Sequence, residues 1–564
     1  MGVTSNVPRP ITRACARLFS QKDSNVLLKK TCPLRWPLYR STHDPDQPGD
    51  FPRLSTQPRI MSSTTQVQTL LNGPKGSTVA PGYQAKALLD NDTRSVEAMV
   101  VAVEVAPSSP ASSTPASAGG EDRPIAVGGQ GDYIILSDGR QILDACGGAA
   151  VTCLGHGNQE VIAAMATQAS QLSYAAHGFF DNNSRRDLAE WFRVTSQGHF
   201  RKAWVTNSGS EAMEGAMKLA HEYFIWKGEP QRVNYISREV SYHGITLGSL
   251  ALGGHLTRRA PFEPLLLPGV HRISPCNEYR QRLQDENDVE FVSRKAAELE
   301  EAFLTLGPKT VTAFIAEPVV GAASGCMPAV PGYFKAMKTV CDKYGALLIL
   351  DEVMSGMGRT GTLHAWEQEG IVPDIQAVGK GLAGGYQPVS AILAGDKVSD
   401  LMDSKNVAFT HGHTYQDHPL GCATALKVQQ IIQREGLLAN VQTQGHGHAH
   451  VGNIRGRGLF WGIEFVRDKA SKEPFDPRLQ IAQKVHAAAL AAPHNMVIYH
   501  GQGCAGEKRG DHVMLMPAYT STPETIELMV DTLVSVLEEV FAGPQRVVGS
   551  MKGREGKGMG DGRS

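Results

Sequence analysis

The stretch "QAVGKGLAGGYQP", Gln376 to Pro388, sets a lysine between two glycines with two further glycines close behind it. Glycine opens backbone conformations closed to other residues and lets a chain approach a ligand closely. A long cationic side chain at such a place has three readings: a phosphate loop, a dinucleotide fingerprint, or a lysine that does covalent chemistry. The phosphate loop needs a Ser or Thr directly after the lysine to reach magnesium, and Gly381 stands there. The dinucleotide reading fares better, because Gly379, Gly381 and Gly384 spell G-x-G-x-x-G and Asp400 follows where a ribose carboxylate belongs. A lone match of that kind is weak. It implies a nicotinamide-dependent dehydrogenase, and it puts a lysine where a pyrophosphate needs bare backbone.

The covalent reading makes demands elsewhere in the chain. A Schiff-base lysine needs a carbonyl cofactor, and pyridoxal 5′-phosphate needs backbone N–H groups for its phosphate, a carboxylate for its ring nitrogen, and packing for its ring faces. "TNSGSEAMEGAMKLA" meets the first demand. An apolar strand runs into Ser208, Gly209 and Ser210, then Ala212, Met213, Ala216, Met217 and Ala220 recur with helical spacing. A Ser-capped helix start presents free N–H groups to an anion, although ordinary strand–helix turns look the same. "ALLILDEV" meets the second, with Asp351 at a strand end where α/β ligands collect; a helix-capping aspartate is the plainer reading. Glu317 ends "TAFIAEP" in the same way. For the faces, Tyr242 and His243 occupy a turn in "SYHGITLG", and Val353 follows Asp351.

Taken together these residues resemble the class III (omega-type) aminotransferases of pyridoxal-phosphate fold type I. The resemblance rests on "SGSEA" (208–212), "YHG" (242–244), "AEPVVG" (316–321), "LILDEVMSGMGRTG" (348–361), "PDIQAVGKGLAGGYQP" (373–388) and "HGHTYQDHP" (411–419), which occur in order. It implies an enzyme that moves an amino group from a primary amine or ω-amino acid to a keto acid by a ping-pong route. Lys380 would carry the cofactor as a Schiff base, Asp351 would bind the ring nitrogen, and Ser208, Gly209 and Ser210 would hold the phosphate. Tyr242 and Val353 would cover the ring, with His243 and Glu317 beside the cofactor. Thr414 would reach the phosphate of a neighbouring subunit, so the sites would lie at a homodimer interface. An aminomutase or racemase on the same scaffold is the alternative within the cofactor class.

The chain departs from the family at the substrate end. Met514 stands where many relatives carry an arginine for a carboxylate, and Arg509 is the nearby substitute; a solvated loop arginine is the competing reading. Ala150 stands where amine-specific relatives carry a bulky aromatic. Tyr174, Phe179 and Phe180 are candidate aromatic walls, or core. Residues 443–458 look shorter than the family pattern, and the alternating His446, His448 and His450 there read as solvated rather than as metal ligands.

Around these motifs, the 564 residues carry 41% hydrophobic and 20% charged side chains and a net charge of −1, which points away from nucleic acid. No apolar run suggests a membrane span. Nine cysteines without a CxxC pair argue against a zinc ribbon or disulfide framework, and no metal site is expected. Apolar strands at 203–206, 233–236, 311–316 and 346–350, separated by helical patterns, predict an α/β protein. Its large domain has a mostly parallel sheet flanked by helices, and a smaller α+β domain comes from the N- and C-terminal segments. The expected divisions are a basic extension (1–60), a low-complexity segment (61–124), the first part of the small domain (125–181), the large cofactor-binding domain (182–424), the rest of the small domain (425–543) and a disordered tail (544–564). Arg9, Arg13, Arg17, Lys22, Lys29, Lys30, Arg35 and Arg40 face a single acid, Asp23, over residues 1–42. That composition fits a mitochondrial transit peptide and hence the mitochondrial matrix. A plain basic tail, or a start at Met61 with a cytoplasmic enzyme, are the alternatives.

Overall fold

The computed structural model describes residues 123–441, 451–506 and 509–541. The transit-peptide, low-complexity and tail readings, the alternating histidines and the first half of the shortened segment lie outside these residues.

A seven-stranded sheet forms the centre. In chain order its strands are β1 (Lys202–Thr206), β2 (Asn234–Arg238), β3 (Val270–Ile273), β4 (Val311–Ala316), β5 (Leu347–Glu352), β6 (Ile375–Val378) and β7 (Ser390–Ala394). Their spatial order is β1-β7-β6-β5-β4-β2-β3. All neighbours pair in parallel except β7, which runs antiparallel to both β6 and β1. The four predicted strands are β1, β2, β4 and β5, with ends moved by a residue or two. The short β3, β6 and β7 escaped prediction because four or five residues carry too little periodicity.

Both faces of the sheet are covered, and the strands alternate between two cores. Leu347 and Ile349 pack with Ile375, Ala377 and Ile392 against helix α1 (Gly209–Lys227), while Leu348, Leu350 and Val378 pack against helices Asp288–Leu306 and Tyr333–Tyr344. Helix α1 starts where it does because Ser208 and Glu211 form a reciprocal capping box, and it stops at Gly228 with φ 84°. Loss of such a cap costs about 1 kcal/mol. The period-2 alternation puts Asp351 on the α1 side and Glu352 on the other.

On that other side lies a buried polar group. Glu352 accepts N–H bonds from Ala365 (2.7 Å) and Trp366 (2.9 Å), and Nδ1 of His364 lies 3.1 Å from Gln376 Oε1. Burial pushes the His364 imidazole down from 6.5 to about 4. His512, equally buried, is also held at about 4. Between pH 6.5 and 4 the unfolded chain therefore binds protons that the folded chain refuses, so stability is lost as pH falls through that window. Each histidine contributes roughly 1.4 kcal/mol per pH unit. A His364→Phe variant is expected to lose less stability than wild type between about pH 6.5 and about pH 5. Denaturant midpoints at the two pH values check this, and parallel losses in both proteins would refute it.

Beside a two-stranded ribbon of Val319–Val320 and Met327–Pro328, two further sheets are built from the N- and C-terminal segments. In one, strands Ala126–Gln130, Tyr133–Leu136 and Gln141–Asp144 form an antiparallel meander closed by Met496–Val497, which pairs in parallel with the third. The other joins Val451–Arg457, Phe460–Asp468, Asp511–Leu515 and Tyr499–Gln502. N- and C-terminal segments thus share one sheet. Helix Pro419–Arg434 links this part to the large sheet: Cys422 and Ala425 sit in the large-sheet core, Val428, Ile431 and Ile432 in the C-terminal one. It runs across the expected division at 424/425. Among the described residues no helix is long and apolar enough to cross a membrane.

Candidate active site

The carboxyl ends of β1, β2, β4, β5 and β6 and the amino end of the antiparallel β7 meet at one edge of the sheet. The segments leaving that edge enclose a cavity of about 340 Å³ lined by Ser208, Gly209 and Ser210, Tyr242 and His243, Glu317, Asp351 and Val353, and Lys380. This is the crevice where open α/β sheets take their ligands.

On one side stands the start of α1. Ser208 Oγ accepts the Glu211 N–H, and Glu211 Oε2 accepts the Asn207 (2.8 Å) and Ser208 (2.9 Å) N–H groups. The Gly209 and Ser210 N–H groups are left without a protein acceptor among the described residues. Two free N–H groups at the positive end of a 19-residue helix form an anion cradle. A Cβ on Gly209 would lie 2.6 Å from Val353 Cγ1, so only glycine lets the helix start come this close to β5.

On the floor, Asp351 Oδ2 lies 2.8 Å from Nδ1 of His243, and Oδ1 accepts the Val353 N–H at 3.0 Å. Both side chains are buried. Beside them, Glu317 accepts the N–H groups of Tyr242 and Gly321, each at 3.0 Å. Burial, reinforced by the neighbouring Asp351 charge, raises the Glu317 pKa against the lowering pull of His243. Arg238, itself buried, donates to the Glu317 carbonyl oxygen at 2.6 Å.

Lys380 opens a three-residue 3₁₀ turn with φ 42°, a left-handed conformation uncommon outside glycine. Such strain persists where surrounding structure holds it and clusters at functional sites. Burial lowers the Lys380 pKa, while Asp351 and Glu317 pull it back up. A lowered pKa enlarges the neutral, nucleophilic fraction of an amine. The turn leads directly into β7 with no intervening helix. That overturns the dinucleotide reading of Gly379, Gly381 and Gly384, whose pyrophosphate needs a helix start after the glycines.

The cavity thus joins an amine, a buried carboxylate backed by imidazole, and an anion cradle, a set that suits a phosphorylated carbonyl cofactor. The model of the Aminotransferase class-III family matches residues 118–537. The chain is a class III aminotransferase.

This aminotransferase is 48% identical to an aminotransferase of Gibberella zeae over 411 residues, covering 70% of this chain and 80% of that one. An (S)-enantioselective omega-transaminase from Thermomicrobium roseum superposes with a TM-score of 0.69 at 32% identity, covering 75% and 93% of the two chains. The PMP-bound form of an aminotransferase from Vibrio fluvialis gives 0.68 at 30% identity, covering 75% and 93%.

Five of the residues considered for the aminotransferase's cavity do not line it, and Thr414, expected at a neighbouring subunit's site, lies at this chain's surface. Ala150 is buried among Cys146, Met354, Phe460, Met514 and Met516; its neighbour Val151 lines the cavity instead. The expectation was off by one residue because Gly147, Gly148 and Ala150 all have positive φ, so side chains there do not alternate as in a strand. Arg509 is not in the cavity. It pairs with Glu473 at 2.8 Å on a separate cleft with Arg467, Asp476 and Arg478. Tyr174 and Thr414 lie together at the surface, the Tyr174 hydroxyl donating to the Thr414 carbonyl oxygen at 3.0 Å. Phe179 and Phe180 are 84% and 67% exposed, neither cavity wall nor core. Asn207, Met354, Gly385 and Gln387 also line the cavity and were missed. Of these, Met354, Gly385 and Gln387 lie inside quoted motifs and Asn207 directly precedes one, and that membership was the available signal.

Proposed function

We propose that this aminotransferase uses pyridoxal 5′-phosphate held at Lys380 to move an amino group from a primary amine or ω-amino acid to a keto acid in two half-reactions. The observation that carries this reading is one cavity that brings the Lys380 amine to Asp351 and to the bare N–H groups of α1. When bound, the cofactor supplies a carbonyl for the substrate nitrogen and a ring that accepts an electron pair from the substrate carbon. Gly209 and Ser210 bind its phosphate through their N–H groups. The Asp351 carboxylate holds a proton at the ring nitrogen, since an adjacent negative charge favours the protonated form. His243 fixes the direction of that carboxylate. Tyr242 and Val353 close the two faces and exclude water. The Lys380 amine would take a proton from the donor carbon and hand it on to the cofactor, and would run the same transfer backward with the acceptor.

Among the described residues that line the cavity, Lys380 is the one lysine or arginine, and Val151, Met354 and Val389 supply apolar wall. This supports an extended amine donor over a compact dicarboxylic amino acid. Purified protein should absorb visible light, and borohydride should remove the band and leave the cofactor's mass on Lys380. Colourless protein that gains no mass would refute the reading. Product analysis separates amino transfer from mutase or racemase chemistry.

A homodimer with shared sites is part of the proposal. Tyr174 and Tyr415 expose rings beside Thr414, and Phe179 and Phe180 are exposed as well, apolar surface that suits burial against a second copy. Mixing Lys380→Ala subunits with Thr414→Ala subunits is expected to regenerate active sites. A fully active monomer in sedimentation would refute sharing. The basic, acid-poor residues 1–42 support delivery to the mitochondrial matrix. A reporter fused to residues 1–60 that stays in the cytosol would exclude it.

A further inference from the structure

The turn that carries Lys380 is strained, and its own backbone leaves two carbonyls unpaired. Lys380 has φ 42°, and a residue held there needs neighbours that fix it. The Gly379 carbonyl oxygen accepts the Leu382 N–H at 2.8 Å, and that of Lys380 accepts the Gly384 N–H at 3.1 Å. The next two carbonyls, of the buried Gly381 and Leu382, receive no backbone N–H among the described residues. A buried carbonyl has to find a donor. One side chain serves both: Gln429 Nε2 donates to the Gly381 and Leu382 carbonyl oxygens, each at 2.9 Å. The Cys153 thiol adds a weaker bond to the first, at 3.3 Å.

Gln429 is 1% exposed on helix Pro419–Arg434, between Ala425 of the large-sheet core and Ile432 of the C-terminal core. Packing alone favours an apolar residue there, because a buried amide costs stability unless it is bonded. Among the described residues only its nitrogen has partners, and both belong to the turn. Gln429 does not line the cavity. Its two N–H groups instead fix the peptide planes just past Lys380, and those planes set where the amine points.

We propose that Gln429 is a positioning residue for amino transfer: it locks the Gly381 and Leu382 carbonyls and thereby aims the Lys380 amine at the reacting carbon. The inference rests on the transaminase reading above. It makes the helix that joins the two cores part of the apparatus that moves the proton.

The test compares Gln429→Met and Gln429→Asn with wild type and with Ile432→Ala, a packing defect elsewhere on the same helix, in full-length protein. Methionine keeps the volume and donates nothing. Asparagine keeps an amide but withdraws it by one methylene, and it stands in if Gln429→Met fails to fold. With cofactor loaded, butylamine as donor and pyruvate as acceptor, Gln429→Met is expected to lower kcat by about ten- to hundredfold and to keep each KM within about twofold, the pattern of a misplaced reacting group. In cofactor-free protein, Lys380 is labelled with acetic anhydride across pH and read by mass spectrometry against the exposed Lys405. Its labelling midpoint should rise by about one pH unit, because a released amine regains water while Asp351 and Glu317 stay in place. Ile432→Ala should lower the thermal midpoint and leave both readings near wild type. A change in kcat alone, in labelling alone or in neither would overturn the proposal, as would equal changes in Ile432→Ala. Wild-type protein that neither takes up pyridoxal phosphate nor exchanges amino groups would instead bring down the transaminase reading, with the labelling shift left to show whether Gln429 aims Lys380.

Discussion

Lys380→Ala is expected to abolish amino transfer, by at least about 10³-fold, while leaving the fold intact. The size follows from losing two roles at once, the covalent anchor and the base that moves the substrate proton. The fold should survive because the side chain contributes little to packing and has no ion-pair or hydrogen-bond partner among the described residues. Removing a desolvated amine from a φ of 42° leaves the strained turn but relieves a buried charge that Asp351 and Glu317 only partly offset. The thermal midpoint without cofactor should therefore change little. Small primary amines added to the variant should restore some proton transfer. Near-normal turnover without added amine would sink the assignment.

Asp351→Asn is expected to lower turnover by roughly 10²–10⁴-fold while retaining some cofactor. The amide is isosteric, and its oxygen can still accept the Val353 N–H that Asp351 accepts at 3.0 Å. The negative charge is what disappears. Without it, nothing in the buried floor favours a proton on the ring nitrogen, and His243 faces an amide instead of a carboxylate at 2.8 Å. The absorbance of the bound cofactor should shift accordingly, and both half-reactions should slow together, since both depend on the same proton. Unchanged rates would mean that another group holds that nitrogen. Slowing of one half-reaction alone would move Asp351 from the cofactor to the substrate.

The parts of the site that could be read from sequence are those where local chemistry and backbone geometry coincide. Ser208 to Ser210 follow a strand and start a helix, so the N–H groups of Gly209 and Ser210 face out of the helix whatever the rest of the chain does. Asp351 sits on a strand whose alternation assigns it a face, and Glu317 follows a fully buried one. The substrate end had no such support. Around Ala150 the positive φ of Gly147, Gly148 and Ala150 breaks any periodicity, so one position of error decided between wall and core. Arg509 looked available because its partner, Glu473, is 36 residues earlier, a separation no local pattern connects.

The pairing of Met496–Val497 with Gln141–Asp144 bears on how the molecule is made. On the ribosome these three strands emerge well before the edge that completes their sheet, which is encoded far downstream of them. Until Val497 has been translated, Leu143 and Asp144 present an open strand edge, the kind of surface that seeks partners in other nascent chains. The large sheet meanwhile has all its strands once Ala394 is out. Assembly is then expected to proceed from the middle of the chain outward, with the N-terminal meander waiting, in the care of chaperones, for the last third of the protein to arrive.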